Sequence, residues 1–443
     1  MVAVHWQSRK PRPLVAALVR RMVISFRRTP VACLLPAIAL AALCAAARAE
    51  ITIHTDFEGG SAKVLALDQT SRTLRIASAG DPNRGWPCWW YLRVDGFAAG
   101  QTLTLEVAGS EARLVRDGKN AGKPLAASWA QPQRATFSTD GKHWRHTEPG
   151  TAKDGRMTYA VKAQGPSLWL AWGPPFTPSD AESLVKAIDH RHRWAEAFEL
   201  TKSRAGRSCP ALRLREGERD EKDRPAIWLQ ARQHAWESGG SWVCRGAAEW
   251  LASDDRRAER LRERCEIFIV PIMDIDNTAT GNGGKEMPPQ DHNRDWSDKP
   301  FHAEVAAAQQ RLLKLSEEKR LALFVDLHNP GPNDKQPFFY FCPEETLTEL
   351  GRRNLDRFFA NCRGEMTGPL ELSSKPRISG PAYDLLWRQM SKNWVAAHGP
   401  PHAVAVTLET AWNTPASTTD GYRKLGAQLA LAVERYLRDD PRK

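Results

Sequence analysis

Acidic residues are absent from the first 49 positions of this 443-residue chain, which carry eight Lys or Arg. The net charge of +11 is therefore local: beyond those positions 55 basic residues face 52 acidic ones. A nearly neutral remainder lacks the electrostatic footprint of a polyanion binder, so no nucleic-acid partner is expected. Extended apolar stretches are scarce too. The run at residues 31–47 spans 17 positions, short of the roughly 20 a spanning helix needs, and a polytopic membrane protein is excluded. There is no CxxC and no Cys/His cluster, which argues against a thiolate metal site. Internal repeats and low-complexity tracts are absent as well, and 42% hydrophobic with 26% charged residues describes an ordinary folded protein. The length suggests two or three domains.

What is present begins with a leader. A basic stretch ends at Arg27-Arg28, an apolar run follows, and Ala47-Arg48-Ala49 supplies the small-x-small pattern of a signal-peptidase site before Glu50. Residues 1–49 are expected to be a signal peptide. The mature chain is expected to be exported, periplasmic or secreted, with no stable membrane insertion after cleavage; an uncleaved anchor is the alternative. An oxidising compartment permits one or two disulfides among Cys88, Cys209, Cys244, Cys265, Cys342 and Cys362. Cys244 and Cys265 lie in segments that read as core, where inert thiols are expected.

Residues 50–175 show short alternating runs punctuated by Gly, Pro, Asp and Ser: ITIHTDF, TLRIAS, WWYLRV, TLTLEV, ARLV, TFST, MTYAV and SLWLAW. Such runs predict a β-sandwich, with Trp86, Trp89, Trp90, Trp169 and Trp172 as core aromatics. Residues 176–443 alternate between types. AIWLQA, CEIFIVPI, LALFVDLH, FFYF and AVAVTLE read as strands, and 178–197, 240–264, 302–319, 344–363, 382–397 and 420–438 as helices. The expected fold is an α/β sheet with helices on both faces, whose ligands gather beyond the strands' carboxyl ends.

The unusual polar residues fall at those ends. AIWLQA runs directly into Arg232-Gln233-His234-Ala235-Trp236-Glu237, and LALFVDLH closes on His328. His234, Glu237 and His328 are two imidazoles and a carboxylate, the three-ligand layout of a catalytic zinc that keeps a position open for water. Asp291-His292-Asn293-Arg294-Asp295-Trp296 sits on a loop between them. Glu409 ends another apolar strand, where a carboxylate fits a general base beside a metal.

In order and spacing these motifs resemble the zinc carboxypeptidase family, the funnelins: HxxE as His234/Glu237, Val270-Pro271, then Asp291/Asn293/Arg294/Trp296, Asp326-Leu327-His328, and Thr407/Glu409. Upstream, Trp89-Trp90-Tyr91-Leu92-Arg93-Val94 and Pro175-Phe176-Thr177 resemble the β-domain of the cytosolic carboxypeptidase branch, from which this chain departs in carrying a leader. The resemblance implies a mixed-sheet catalytic domain holding one Zn²⁺ per chain on His234, Glu237 and His328. It implies that Asp291 accepts the second N–H of His234 and that Asn293 and Arg294 grip a terminal carboxylate. Glu409 would take a proton from the water at the metal and pass it to the leaving amine. The family's oxyanion arginine, in a G-N-x-R stretch, is replaced by Gly281-Asn282-Gly283-Gly284-Lys285, so Lys285 is the candidate there. Tyr383 is the candidate for the mobile tyrosine that precedes the base, on a helix.

The activity implied is hydrolysis of a C-terminal peptide bond, with a peptide or protein C-terminus as substrate. A deacylase of N-acyl amino acids on the same scaffold is the alternative, and an inactive peptide-binding protein a third reading. In the family the pocket for the terminal side chain is built largely by the segment before the base, here residues 385–408, which contains no Asp or Glu. A buried cation would lack a partner there. Trp387, Met390 and Trp394 suggest an apolar pocket, while Arg388 or Lys392 would attract an acid if they leave the solvent face of their helix. The expected preference is apolar or aromatic first, acidic second, basic last.

Overall fold

The computed structural model describes residues 50–116 and 120–443; the expected leader lies outside the described residues. The first part is built of β1 (Thr52–His54), β2 (Lys63–Asp68), β3 (Thr73–Ala77), β4 (Tyr91–Asp95), β5 (Thr102–Ala108), β6 (Thr136–Ser138), β7 (Arg145–His146), β8 (Thr151–Lys153), β9 (Arg156–Lys162) and β10 (Ser167–Ala171). They form two five-stranded sheets, ordered β1-β4-β10-β6-β7 and β2-β3-β5-β9-β8. Alternation drives the pairing. In β5 the inward residues Leu103, Leu105 and Val107 are buried while the intervening ones are not; they lie beside Leu74 and Ile76 of β3 and share one core with Leu92 and Leu168 of the other sheet.

Two expectations fail here. ARLV forms no strand, only a single bridge from Arg113 to Pro124. KVLALD does form one, β2, although nearly every residue in it is exposed, so no buried face marks it in the sequence.

The second part contains α1 (Pro178–Arg191), β11 (Ala195–Lys202), β12 (Ser208–Leu214), β13 (Ala226–Ala231), α2 (Ser238–Leu251), α3 (Arg256–Arg264), β14 (Glu266–Val270), α4 (Ile275–Ala279), α5 (Ala303–Glu317), β15 (Leu321–His328), β16 (Phe338–Phe341), α6 (Glu349–Glu365), β17 (Arg377–Ile378), α7 (Ser391–His398), β18 (Val404–Glu409) and α8 (Thr419–Tyr436). The eight-stranded sheet runs β11-β12-β14-β13-β15-β18-β16-β17. Strands β14, β13, β15 and β18 are parallel neighbours, with antiparallel pairings at β11–β12, β12–β14 and β16–β18. Every residue of β13 and β15 is buried, as expected of central strands covered on both faces.

Helix boundaries differ from the periodicity reading where local side chains compete with the backbone. The helix expected over 178–197 stops at Arg191, and β11 follows. The one expected over 240–264 is two helices, the second started by Asp255, whose side chain accepts from the backbone N of Arg257. The helix expected over 382–397 begins only at Ser391. Ahead of it Asp384 accepts the backbone N–H of Leu386 at 2.7 Å, a turn that replaces helical pairing.

The six cysteines beyond the leader are all free and buried, so the expected bridges do not form. No helix among the described residues is long and apolar enough to cross a membrane. The two parts are joined by packed tryptophans. Trp172 of the β-rich part lies 5.0 Å from Trp236 and 3.9 Å from Trp412, ring centre to ring centre. Of the five tryptophans expected in the core, Trp86, Trp89, Trp90 and Trp172 are buried, whereas Trp169 is only partly covered and carries Arg93 over its ring.

Candidate active site

The carboxyl ends of β13, β15 and β18 lie at one edge of the sheet. The register places His328 beside Glu409, and Leu327 beside Ala231, after which the chain turns through Arg232 at φ +67° into His234. His234 Nδ1 sits 2.9 Å from Glu237 Oε1, and His328 Nδ1 sits 2.8 Å from Glu237 Oε2. The three donor atoms lie within 4.8 Å of one another, all buried, and no fourth protein donor joins this set among the described residues.

The outer nitrogens face carboxylates. His328 Nε2 is 2.9 Å from Asp326 Oδ2, and His234 Nε2 is 3.7 Å from Asp291 Oδ1. A proton held on His328 Nε2 by Asp326 leaves its Nδ1 lone pair turned inward, the tautomer a metal ligand requires; Asp291 stands beyond hydrogen-bond reach of His234 Nε2, on the side where its charge favours the same tautomer. Two inward imidazoles, one carboxylate and an open side fit a catalytic zinc, and a structural site closed by four protein ligands does not match.

Glu409 faces the same space. Its Oε2 is buried without a partner. Burial, reinforced by the Glu237 charge, pushes its carboxyl up to about 7, against the pull of His328, Lys285 and His234. One cavity of about 220 Å³ brings together His234, Glu237, His328, Glu409, Asn293, Arg294, Lys285 and Tyr383. Asp291 stands behind His234, fully buried, and accepts the backbone N–H of Glu286 at 3.0 Å.

Arg294 is already oriented. Its Nε donates to Asp384 at 3.0 Å and its Nη1 to the backbone oxygen of Asn293 at 2.9 Å. Asn293 Oδ1 accepts from the backbone N of Ser391 at 3.0 Å, tying this loop to the start of α7. Lys285 reaches the cavity because the loop before it is glycine-rich. Gly284 has φ +77°, and a Cβ there would stand 2.2 Å from Asp274 Oδ2. The Lys285 ammonium lies 5.3 Å from the centre of the Trp86 ring. Tyr383 is in a turn rather than on a helix, 48% exposed, its ring 5.2 Å from that of Tyr340.

Several contributors escape the sequence reading. Asp326 is quoted there only as part of a motif, yet besides His328 it accepts from Ser391 Oγ at 2.5 Å and from Gln233 Nε2. A carboxylate two positions before a strand-end histidine lies on the same face, which is the signal that marks it. Trp86 and Trp129 of the β-rich part and Trp236 beside the ligands form a cavity wall, so Trp86 is a lining residue as well as a core one. No local pattern points to that.

The segment before Glu409 differs from expectation. Of its candidates only Met390 lines the cavity; Trp394 packs on Trp296, 5.6 Å away, and Arg388 stacks over Trp387. Lys392 is 1% exposed, not on a solvent face. Its Nζ donates to Asn393 Oδ1 at 2.6 Å, and Asn393 in turn donates to the backbone oxygen of Ser379, a cavity residue. Asp334, outside the segment, also lines the cavity and pairs with Arg377.

Residues 182–329 match the family model for zinc carboxypeptidase, and residues 53–172 match that for the cytosolic carboxypeptidase N-terminal domain. An uncharacterised protein of Zymomonas mobilis is 28% identical over 249 residues, 56% of this chain and 60% of that protein. Human cytosolic carboxypeptidase 1 is 29% identical over 325 residues, 66% of this chain but 26% of that protein. The chain thus spans less than two thirds of the length of either relative, and about a quarter of the second. Among solved structures, a metallo-carboxypeptidase from Burkholderia cenocepacia superposes with a TM-score of 0.71 at 20% identity, covering 88% of this chain and 99% of the other. One from Pseudomonas aeruginosa, in complex with (2-guanidinoethylmercapto)succinic acid, gives 0.70 at 22%, covering 88% and 100%. At that identity the likeness concerns the fold. By these matches the chain carries a zinc carboxypeptidase domain preceded by a cytosolic-carboxypeptidase N-terminal domain.

Proposed function

We propose that this protein is a zinc metallocarboxypeptidase that removes the terminal residue from a peptide or protein C-terminus. One observation carries the reading: the inward donors, the unpartnered Glu409 carboxyl and the pre-oriented Arg294 guanidinium open into the same cavity. His234, Glu237 and His328 would hold the zinc, which when bound supplies Lewis-acid polarisation of a carbonyl and lowers the pKa of water.

The remaining work falls to side chains of this protein. Arg294 Nη2 makes no hydrogen bond among the described residues, so it is the edge offered to a terminal carboxylate, with Asn293 beside it. Gripping that carboxylate decides which bond sits over the donors. Glu409 accepts a proton from the attacking water and returns it to the leaving amine. Lys285 places positive charge where oxyanion charge develops, as a point charge rather than a planar fork. Tyr383, at the rim, covers the terminal residue.

Terminal-residue preference follows a charge buried behind the cavity wall, one hydrogen-bonded residue away from the cavity residue Ser379. A buried ammonium at Lys392, with an amide oxygen as its hydrogen-bond acceptor and no carboxylate, favours an acidic terminal side chain. That reading moves acidic residues ahead of apolar ones in the order expected from sequence. Basic residues remain last, since Asp384 and Asp334 are occupied by Arg294 and Arg377.

The test is turnover, in zinc-loaded protein, of blocked dipeptides against N-acyl amino acids. Faster cleavage of the dipeptides supports the peptidase; the reverse order makes the protein a deacylase. We also infer export, on the strength of the basic and apolar leader closing at Ala47-Arg48-Ala49. Amino-terminal sequencing of fractionated protein should find Glu50 first in the exported fraction, and full-length cytoplasmic protein would refute it.

A further inference from the structure

A second group of metal-binding side chains lies outside the cavity described above. His292, His302 and Glu304 are all buried and offer three donor atoms within 4.8 Å of one another. His292 follows Asp291 on the catalytic loop, while His302 and Glu304 stand at the start of α5. Neither nitrogen of His292 has a hydrogen-bond partner, nor does Glu304 Oε2, and all three atoms are buried. Three unmet polar atoms in one place are costly unless something joins them.

The surroundings repeat the signature of the first centre. His292 Nε2 lies 3.9 Å from Glu304 Oε2, while its Nδ1 lies 3.7 Å from Asp274 Oδ2. His302 Nε2 donates to the backbone oxygen of Gln290 at 2.8 Å, leaving Nδ1 with the lone pair. His302 therefore has one nitrogen hydrogen-bonded to an oxygen acceptor and the other available, as His328 does, while both nitrogens of His292 stay open with carboxylate oxygens just beyond hydrogen-bond reach. The cluster borders a separate cavity of about 350 Å³. Arg84 and Arg204 on its wall are engaged by other wall residues, Asn277 and the Phe301 ring. The two imidazoles are stacked 3.7 Å apart at 19°. An ion in the plane of both rings requires that stack to open, for which the adjoining cavity provides room.

We propose that His292, His302 and Glu304 form a second divalent-metal site, with Asp274 supporting His292, and that it takes Zn²⁺. The two imidazoles are donors of borderline softness, and with a single carboxylate they suit zinc over calcium or magnesium. The ion would clamp the loop bearing Asp291, Asn293 and Arg294 to the amino end of α5. That is a positioning role, separate from the reacting groups.

The experiment is metal counting on the full chain after stripping with chelator and titration with Zn²⁺ alone, in wild type, Glu304→Gln and His328→Ala. The wild type should bind about two zinc ions, and each variant about one. Glu304→Gln nearly preserves side-chain shape and should keep the catalytic ion. His302→Gln, which can still donate to the Gln290 carbonyl, is the second variant should the first fail to fold. Zinc-edge anomalous diffraction from wild-type crystals should give a second peak between α5 and the catalytic loop. One ion per wild-type chain, with Glu304→Gln and His302→Gln binding as wild type does, would overturn the proposal and leave His292 as a buried imidazolium between Asp274 and Glu304. Because His328→Ala reports on the first centre separately, failure there is distinguishable from failure here.

Discussion

Asp326→Asn tests whether the carboxylate behind His328 sets the strength of the metal site. The exchange is nearly isosteric. Oδ2 receives His328 Nε2 at 2.9 Å, Ser391 Oγ at 2.5 Å and Gln233 Nε2, while Oδ1 meets only Gln230 Nε2 at 3.4 Å. An asparagine with its oxygen at the Oδ2 position keeps the three closer bonds and gives up only the weak one, its NH₂ meeting the Gln230 amide donor. What it removes is the charge that makes His328 a stronger donor. Loss of such a partner weakens metal binding by about 10–100-fold, or roughly 1.4–2.7 kcal/mol. Asp326→Ala is the poorer test, because each buried donor left unmet costs about 1–3 kcal/mol and the fold itself is at risk. The assay is zinc affinity by competition with a chromophoric chelator, with thermal melting of the metal-free proteins as control. A zinc Kd within twofold of wild type would refute the reasoning. So would a fall in metal-free stability large enough to explain the loss.

The other predictions concern ligand, base and the buried lysine. His328→Ala should remove the catalytic zinc and the activity together, measured by metal analysis; retention of that ion would displace His328 from the ligand set. Glu409→Gln should keep zinc and fold but lose about 10²–10⁴ in kcat, and turnover within a few-fold of wild type would make Glu409 structural. Glu409 works ionised, so kcat/KM should fall as pH drops through its pKa. A bound cation pulls that value down from about 7, placing the acid limb between there and the ordinary ~4.3 of a glutamate; a limb at or below the ordinary value contradicts the burial argument. Lys392→Met should lower the ratio of kcat/KM for Glu-terminated over Leu-terminated peptides by about tenfold or more. Burial lowers the Lys392 pKa from 10.5, so the unfolded chain binds the extra proton. Wild-type stability should therefore rise with pH through that interval, and Lys392→Met should lose the slope. An unchanged peptide preference would remove Lys392 from terminal-residue recognition.

The sequence alone determined the central strands and the groups at their ends. AIWLQA, LALFVDLH and FFYF are observed over those residues, because an unbroken apolar run bounded by polar residues is a local property that survives any tertiary context. His234, Glu237, His328 and Glu409 stood out for the same reason: polar groups where burial is dictated by their neighbours. Tertiary structure decided everything that depends on which segments meet. Asp384 reaches Arg294 across 90 residues of chain, and Trp86 and Trp129 reach the cavity from another domain. Lys392 reads as a solvent-facing helical residue until the turn at Asp384 delays α7 to Ser391, and the lysine is then buried. His292 and Glu304 belong to separate elements, twelve positions apart, and become neighbours only when the catalytic loop folds against α5. Periodicity reports which face of an element is buried; what lies against that face is set by sheet order and loop path, which no local pattern encodes.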